Sequence, residues 1–118
     1  MKFTGIILNL DGQLDSAGDS FPPNTQIELP ETVHCYYEFD KKKPLGIGKI
    51  IKEDNLLKYE IDTPDNLLTR DLAKLLTPAI GGQIIEREGN IIRRSRITEI
   101  GLSISSNADK RIKKLGEE

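Results

Sequence analysis

Apolar and β-branched residues alternate with polar residues over most of the chain, a two-residue period that predicts strands. The segments that show it are 3–10, 33–39, 45–52, 56–62, 79–86 and 91–105. Asp54 and Asn55 separate two of them and indicate a hairpin turn. Residues 11–31 are rich in Gly, Asp, Ser and Pro and predict a long loop, because proline lacks the amide donor of a central strand. The pattern predicts a mostly antiparallel sheet.

Two segments carry helix signals instead. Thr63, Pro64 and Asp65 supply a capping hydroxyl, a proline at the first helical position and an acid near the positive end of the dipole. The predicted main helix ends at Thr77, and its apolar stripe is Leu68, Leu72, Leu75 and Leu76. Residues 106–109 resemble the capping box of a short C-terminal helix. The sequence therefore predicts an α+β fold: a closed or nearly closed antiparallel β-barrel with one main helix and a short C-terminal helix.

Composition narrows the class of protein. A chain of 118 residues predicts one domain, with a barrel core over 3–107 that includes the 11–31 loop, and a C-terminal helix and tail over 106–118. The net charge of −2 argues against a nucleic-acid partner. Short apolar runs and the lack of a signal-peptide pattern predict a cytoplasmic protein without a membrane partner. Cys35 is the only cysteine and His34 the only histidine of the chain. Because so few metal-ligating side chains are available, we expect no cofactor and no metal.

Glycine and lysine clusters have structural explanations. Gly46, Gly48 and the pair at 81–82 lack the strand-to-helix context of a phosphate-binding loop, so they indicate bulges or bends. The lysine-rich segments at 41–43 and 110–114 lie in a chain of net negative charge. We therefore interpret them as exposed charges that keep the protein soluble and not as a binding site for phosphates or an acidic partner.

One predicted strand collects three arginines: Arg93, Arg94 and Arg96. Two interpretations stay open. The strand could lie at a sheet edge, where charge prevents further pairing. It could also form a salt-bridged subunit contact with acids such as Glu86 and Glu88.

Several short motifs follow one another in a fixed order. They are an Asp-rich loop with Gly18-Asp19 and Pro22, then Glu38-Phe39-Asp40 ahead of Pro44-Leu45-Gly46, then Ala79-Ile80-Gly81, and last the strand 98–103. In this order, over residues 3 to about 107, the chain resembles the prohead maturation proteases of tailed bacteriophages, whose fold is shared with the herpesvirus assemblins. The resemblance implies that fold for this chain.

The resemblance also assigns positions to the catalytic residues of the family. The position of the family's catalytic histidine is occupied here by Phe39, and that of its nucleophile by Ala79. Glu99 stands at the position of the family's orienting acid. Because phenylalanine exchanges no proton and alanine has no nucleophilic atom, the resemblance implies a degenerate, non-catalytic member. It further implies a structural or scaffolding role in phage or prophage capsid assembly, in the bacterial cytoplasm or within proheads. The partners it implies are further copies of the chain and capsid or scaffold proteins.

Two other functions stay open. One is an active serine or cysteine peptidase with relocated residues, in which His34 would serve Ser103, Ser105 or Cys35. Adjacent strand residues such as His34 and Cys35 point to opposite faces, which argues against the last pair. The other is a generic β-barrel binding module unrelated to phage.

Overall fold

The computed structural model describes residues 1–105, 108 and 110–115. Within these residues, seven strands form one sheet, and the single α-helix has one turn. The bounds are β1 Lys2–Asn9, β2 Gln26–Glu28, β3 Val33–Tyr37, β4 Pro44–Glu53, β5 Leu56–Asp62, α1 Arg70–Ala73, β6 Thr77–Glu88 and β7 Ile91–Ser103. Within the described ranges, no helix has the length and apolar character that crossing a bilayer demands.

The sheet is open and mixed. Strands follow one another in space as β1-β5-β4-β3-β7. β6 pairs antiparallel with one edge of β7, and the other edge carries β3 at 99–102 and β2 at 94–96, both parallel to β7. β1 and β6 come into contact, but no ladder joins them in the described part of the chain. The predicted closed or nearly closed antiparallel barrel is therefore wrong, because alternation along a strand specifies its buried face and not its partner or direction.

The predicted main helix over 63–77 is also wrong. Thr63 is buried and holds the N-terminus: its amide donates to the Met1 carbonyl at 2.8 Å, and the Met1 ammonium donates back to the Thr63 carbonyl at 2.6 Å. Because the amide and the carbonyl of Thr63 both bond to Met1, they do not take part in a helix that begins at Thr63. Thr69 caps α1 instead, accepting from the Leu72 amide at 3.1 Å. Leu68 and Leu76 are both buried, but they lie on either side of α1, in segments that contain turns, and not on one long helix.

The described part of the C-terminal tail contains no helix. Leu115 is fully buried, and its amide donates to the Leu76 carbonyl at 2.8 Å. Ile112 is buried as well. Ile112 and Leu115 therefore pack the tail against the rest of the protein, although the tail has no regular secondary structure in its described residues. The cap signal at 106–109 falls mainly on positions 106, 107 and 109, which lie outside the described residues.

The core lies on one face of the sheet, where β-branched and leucine side chains meet. In β5 the alternation holds, with Leu57, Tyr59 and Ile61 buried. In β7 it breaks, because Ile97 and Ile100 are both buried although three residues apart. The register accounts for this, since Gly81 pairs with Glu99 and Gly82 pairs with Ile97, so that β7 bulges by one residue. The bulge directs Glu99 to the outer face, away from the core.

Candidate functional site

A strained two-residue turn follows β3. Glu38 and Phe39 both have positive φ, 53° and 59°, and the Asp40 amide donates to the Tyr37 carbonyl at 2.9 Å. This is the pattern of a type I′ turn, which glycine and asparagine favour. A left-handed conformation costs roughly 1–2 kcal/mol for each residue that carries a Cβ. Backbone strain of this kind concentrates at functional sites, so the turn marks a candidate.

The Glu38 carboxylate anchors the turn to the end of β7. One of its oxygens accepts from the Ser103 hydroxyl at 2.8 Å and the other from the Ile104 amide at 2.9 Å. The Glu38 amide donates to the Leu102 carbonyl at 3.0 Å. Ser103 Oγ also accepts from the Ser105 amide at 3.1 Å. These bonds offset the strain and fix the direction in which Phe39 leaves the turn.

Phe39 lies over bare backbone. A Cβ built on Gly101 would lie 2.2 Å from the Phe39 ring, and one built on Gly81 would lie 2.8 Å from it. Any side chain at either position would overlap the ring. The two glycines therefore form a cradle on the outer face, opposite the buried Ile100 and Leu102. Phe39 does not continue the alternation of β3, because the strand ends at Tyr37, before the turn.

The three positions that the resemblance singles out come together at this cradle. Ala79 is the cross-strand partner of Gly101, and Glu99 is the partner of Gly81. The Glu99 γ-carbon lies 2.7 Å from the position that a Gly81 Cβ would take, next to the Phe39 ring. Phe39, Ala79 and Glu99 thus surround one patch of backbone.

His34 shares this face but lies far from Ser103. In the parallel pairing of β3 with β7 it is level with Glu99, so Ser103 lies four residues further along. At about 3.3 Å per residue that is about 13 Å, and the Phe39 ring covers Gly101 in between. Cys35 points into the core, where burial raises the pKa of its thiol to about 12.

A cleft of about 390 Å³ opens beside the cradle. It lies between Ile7 and Leu8 of β1 and residues 79–84 of β6, and Phe21 and Phe39 contribute apolar walls. Three carboxylates also line it: Asp15, Asp19 and Glu38. Among the described residues no lysine or arginine lines the cleft.

The arginines of β7 serve other parts of the fold. Arg94 and Arg96 pair with Glu28 of β2 at 3.1 and 3.4 Å, and Arg93 pairs with Glu88 at 3.2 Å. The edge-strand interpretation is wrong, because β7 is paired on both sides. The Arg93–Glu88 pair lies within one chain, so the subunit-contact interpretation stays a prediction.

The sequence patterns assign no role to Glu38 or Gly101. A glycine inside a strand is a weak signal for close approach of another group, and Gly101 illustrates it. Glu38 carries no such signal, since its bonds depend on where β7 ends. No group of three or more His, Cys, Asp or Glu side chains in the described ranges is placed to hold a metal ion.

Comparison of the chain with protein-family models, with curated proteins and with solved structures finds no match. The resemblance to prohead proteases therefore stays a prediction drawn from motif order.

Proposed function

We propose that the chain is a non-catalytic, prohead-protease-like protein with a structural role in phage or prophage capsid assembly. One observation carries the proposal: the Phe39 ring lies on the Gly81–Gly101 cradle, beside Ala79 and Glu99. The resemblance assigns these three positions to a histidine, a nucleophile and an acid. Nucleophilic catalysis requires an attacking atom and a base, and phenylalanine and alanine supply neither.

The arrangement of the remaining candidates argues against a relocated peptidase centre. His34 is separated from Ser103 by about four residues of strand, roughly 13 Å. Cys35 points away from His34 into the core. A general base must lie within hydrogen-bond reach of the proton that it removes, and about 13 Å between the two backbone positions is more than the His34 and Ser103 side chains can span.

A structural role agrees with the open sheet. β1 and β6 each pair with one neighbour only in the described part of the chain, so each offers a free edge. Exposed apolar side chains accompany these edges, among them Ile6 and Ile84. Free edges and exposed apolar residues are surfaces by which a protein joins copies of itself or other proteins. Further copies of the chain and capsid or scaffold proteins are the partners we propose, in the bacterial cytoplasm or in proheads.

Labelling with a fluorophosphonate probe tests the absence of chemistry. We expect no covalent adduct on the purified chain, under conditions in which a known serine hydrolase is labelled fully. Ser103→Ala serves as the matched control, since Ser103 lies on β7 two residues beyond Gly101. Stoichiometric labelling that His34→Ala abolishes would overturn the proposal and support an active peptidase.

Sedimentation tests the assembly role. The chain is mixed with proheads assembled from the capsid and scaffold proteins that its neighbouring genes encode. We expect it to sediment with the particles and to stay in the supernatant without them. If no capsid or portal gene lies nearby, or if the chain does not sediment with the particles, the protein is a generic binding module instead.

A further inference from the structure

We infer that the cleft between β1 and β6 binds an extended polypeptide segment that places an apolar side chain in the cleft and a lysine or arginine at its rim. The inference rests on the proposed function, because a protein without catalytic groups acts through what it binds.

The backbone around the cleft favours an extended partner. The cleft lies between β1 and β6, which in the described part of the chain each pair with one neighbour only and contact each other without a ladder. Backbone amides and carbonyls on the free edge of such a strand can pair with an added strand. A segment in extended conformation matches this hydrogen-bonding pattern.

The walls of the cleft favour an apolar side chain. Ile7, Leu8, Phe21 and Ile97 are buried core residues that reach the cleft from below, and the Phe39 ring lies at its side. Ile84 lines it from β6 and is 41% exposed. An apolar side chain seated there would remove its own surface from water, together with the exposed parts of Ile84 and Phe39.

Charge at the rim favours a cation. Asp15 Oδ1 accepts from the Ala17 and Asp19 amides, each at 2.9 Å, and Asp19 Oδ1 lies 3.4 Å from Arg87. The Oδ2 atoms of both aspartates have no partner in the described part of the chain. Glu38 has both oxygens engaged and adds only its charge. With no basic residue lining the described cleft, its field selects a positively charged segment.

Fluorescence anisotropy with two labelled peptides tests the inference. One peptide alternates valine with lysine and the other alternates valine with glutamate. We expect the lysine peptide to bind at least about tenfold more tightly than the glutamate peptide, with an affinity that falls as salt rises.

Two lysine variants on β6 form a matched pair. Ile84 and Ile85 are adjacent and similarly exposed, at 41% and 38%, but only Ile84 lines the cleft. Ile84→Lys places a cation in the acidic cleft and should weaken the lysine peptide about tenfold or more, whereas Ile85→Lys should change it less than about twofold. Circular dichroism checks that both variants fold alike.

Several outcomes overturn the inference. They are no binding of the lysine peptide, equal binding of both peptides, and equal effects of the two variants. Self-association that Ile84→Lys alone abolishes, without peptide binding, would assign the cleft to a second copy of the chain. None of these outcomes changes the fluorophosphonate or prohead results, so failure here and failure of the proposed function are distinguishable.

Discussion

At the scale of single residues, Phe39 and Gly101 form one unit. The ring takes the space that a side chain at 101 would need, and the glycine leaves that space open. The bonds of Glu38 hold the ring there against the cost of two left-handed residues. The glycine at 101 is therefore explained by the Phe39 ring that contacts it in space, and not by its place in β7.

Gly101→Ala should destabilise the fold by about 1–3 kcal/mol, because its methyl would overlap the Phe39 ring. Urea unfolding of the single variant measures the cost. In a Phe39→Ala background the overlap is removed, so the same change should cost less than about 1 kcal/mol. An equal cost in both backgrounds would show that the ring does not lie over Gly101.

The Cys35 thiol should be unreactive in the folded protein. Burial raises its pKa to about 12, so at about pH 8 it is protonated as well as inaccessible. A disulfide reagent such as DTNB should modify it at least about a hundredfold more slowly in the native state than in guanidinium. Native and denatured rates that agree would place the thiol at the surface.

At the scale of elements, the shortest strand, β2, carries ion pairs to its neighbour. β2 has three residues and lies parallel to β7, where Glu28 meets Arg94 and Arg96. The pairs are partly exposed, so their contribution to global stability is small, but they act on a strand with few other bonds.

Glu28→Gln should lower the free energy of unfolding by less than about 1 kcal/mol, because the charges are partly solvated. It should nevertheless increase hydrogen exchange at the β2 amides, since the strand loses its charged anchors. Glu31→Gln is the matched control, as Glu31 is exposed and forms no ion pair with the described residues. Unchanged exchange in β2 would show that backbone pairing alone holds the strand.

At the scale of the whole molecule, residues far apart in the chain close the structure. The Arg111 guanidinium donates to the Asp11 carboxylate, joining the C-terminal tail to the loop after β1. Leu115 reaches the Leu76 carbonyl, and Met1 is bound to Thr63. Both ends of the described chain are therefore tied to the body.

The Asp11 bond should make stability depend on pH. Its hydrogen bond with Arg111 is the main reason that the pKa of Asp11 lies below its usual value of 3.8. Since the folded pKa is the lower one, the stabilisation is present above the unfolded pKa and is lost as pH falls through the folded pKa. Asp11→Asn should thus lower the urea midpoint at about pH 6, and the difference should vanish at about pH 2. A difference that persists in acid would point to packing rather than charge.

Local patterns predicted the strands well where the partner is close in sequence. The alternation and the Asp54-Asn55 turn predicted the β4–β5 hairpin, because its register depends on residues only a few positions apart. The same alternation predicted that His34 and Cys35 point to opposite faces, and this is confirmed: Cys35 is buried and His34 is exposed. Motif order proposed Phe39, Ala79 and Glu99 as one group, and the structure brings them together.

The helix signals failed because they compete with distant contacts. Thr63 is a good cap in isolation, but pairing with Met1 commits its backbone elsewhere. The turn at Glu38 and Phe39 could not be predicted either, since nothing in this dipeptide marks a left-handed conformation. That turn exists because Ser103 and Ile104 hold the Glu38 carboxylate.

By itself, then, the amino-acid order determined most of the extended segments, since steric alternation acts between neighbours, although β2 lies within the predicted 11–31 loop. It also determined the apolar side of a regular strand such as β5, but not that of β7, where the bulge breaks the alternation. Only the tertiary structure decided that β3 and β2 run parallel to β7, that the sheet stays open and that a cleft lies between its end strands. Those features depend on contacts between residues tens of positions apart in the sequence. Such contacts act together and produce no periodic pattern of apolar residues from which they could be predicted.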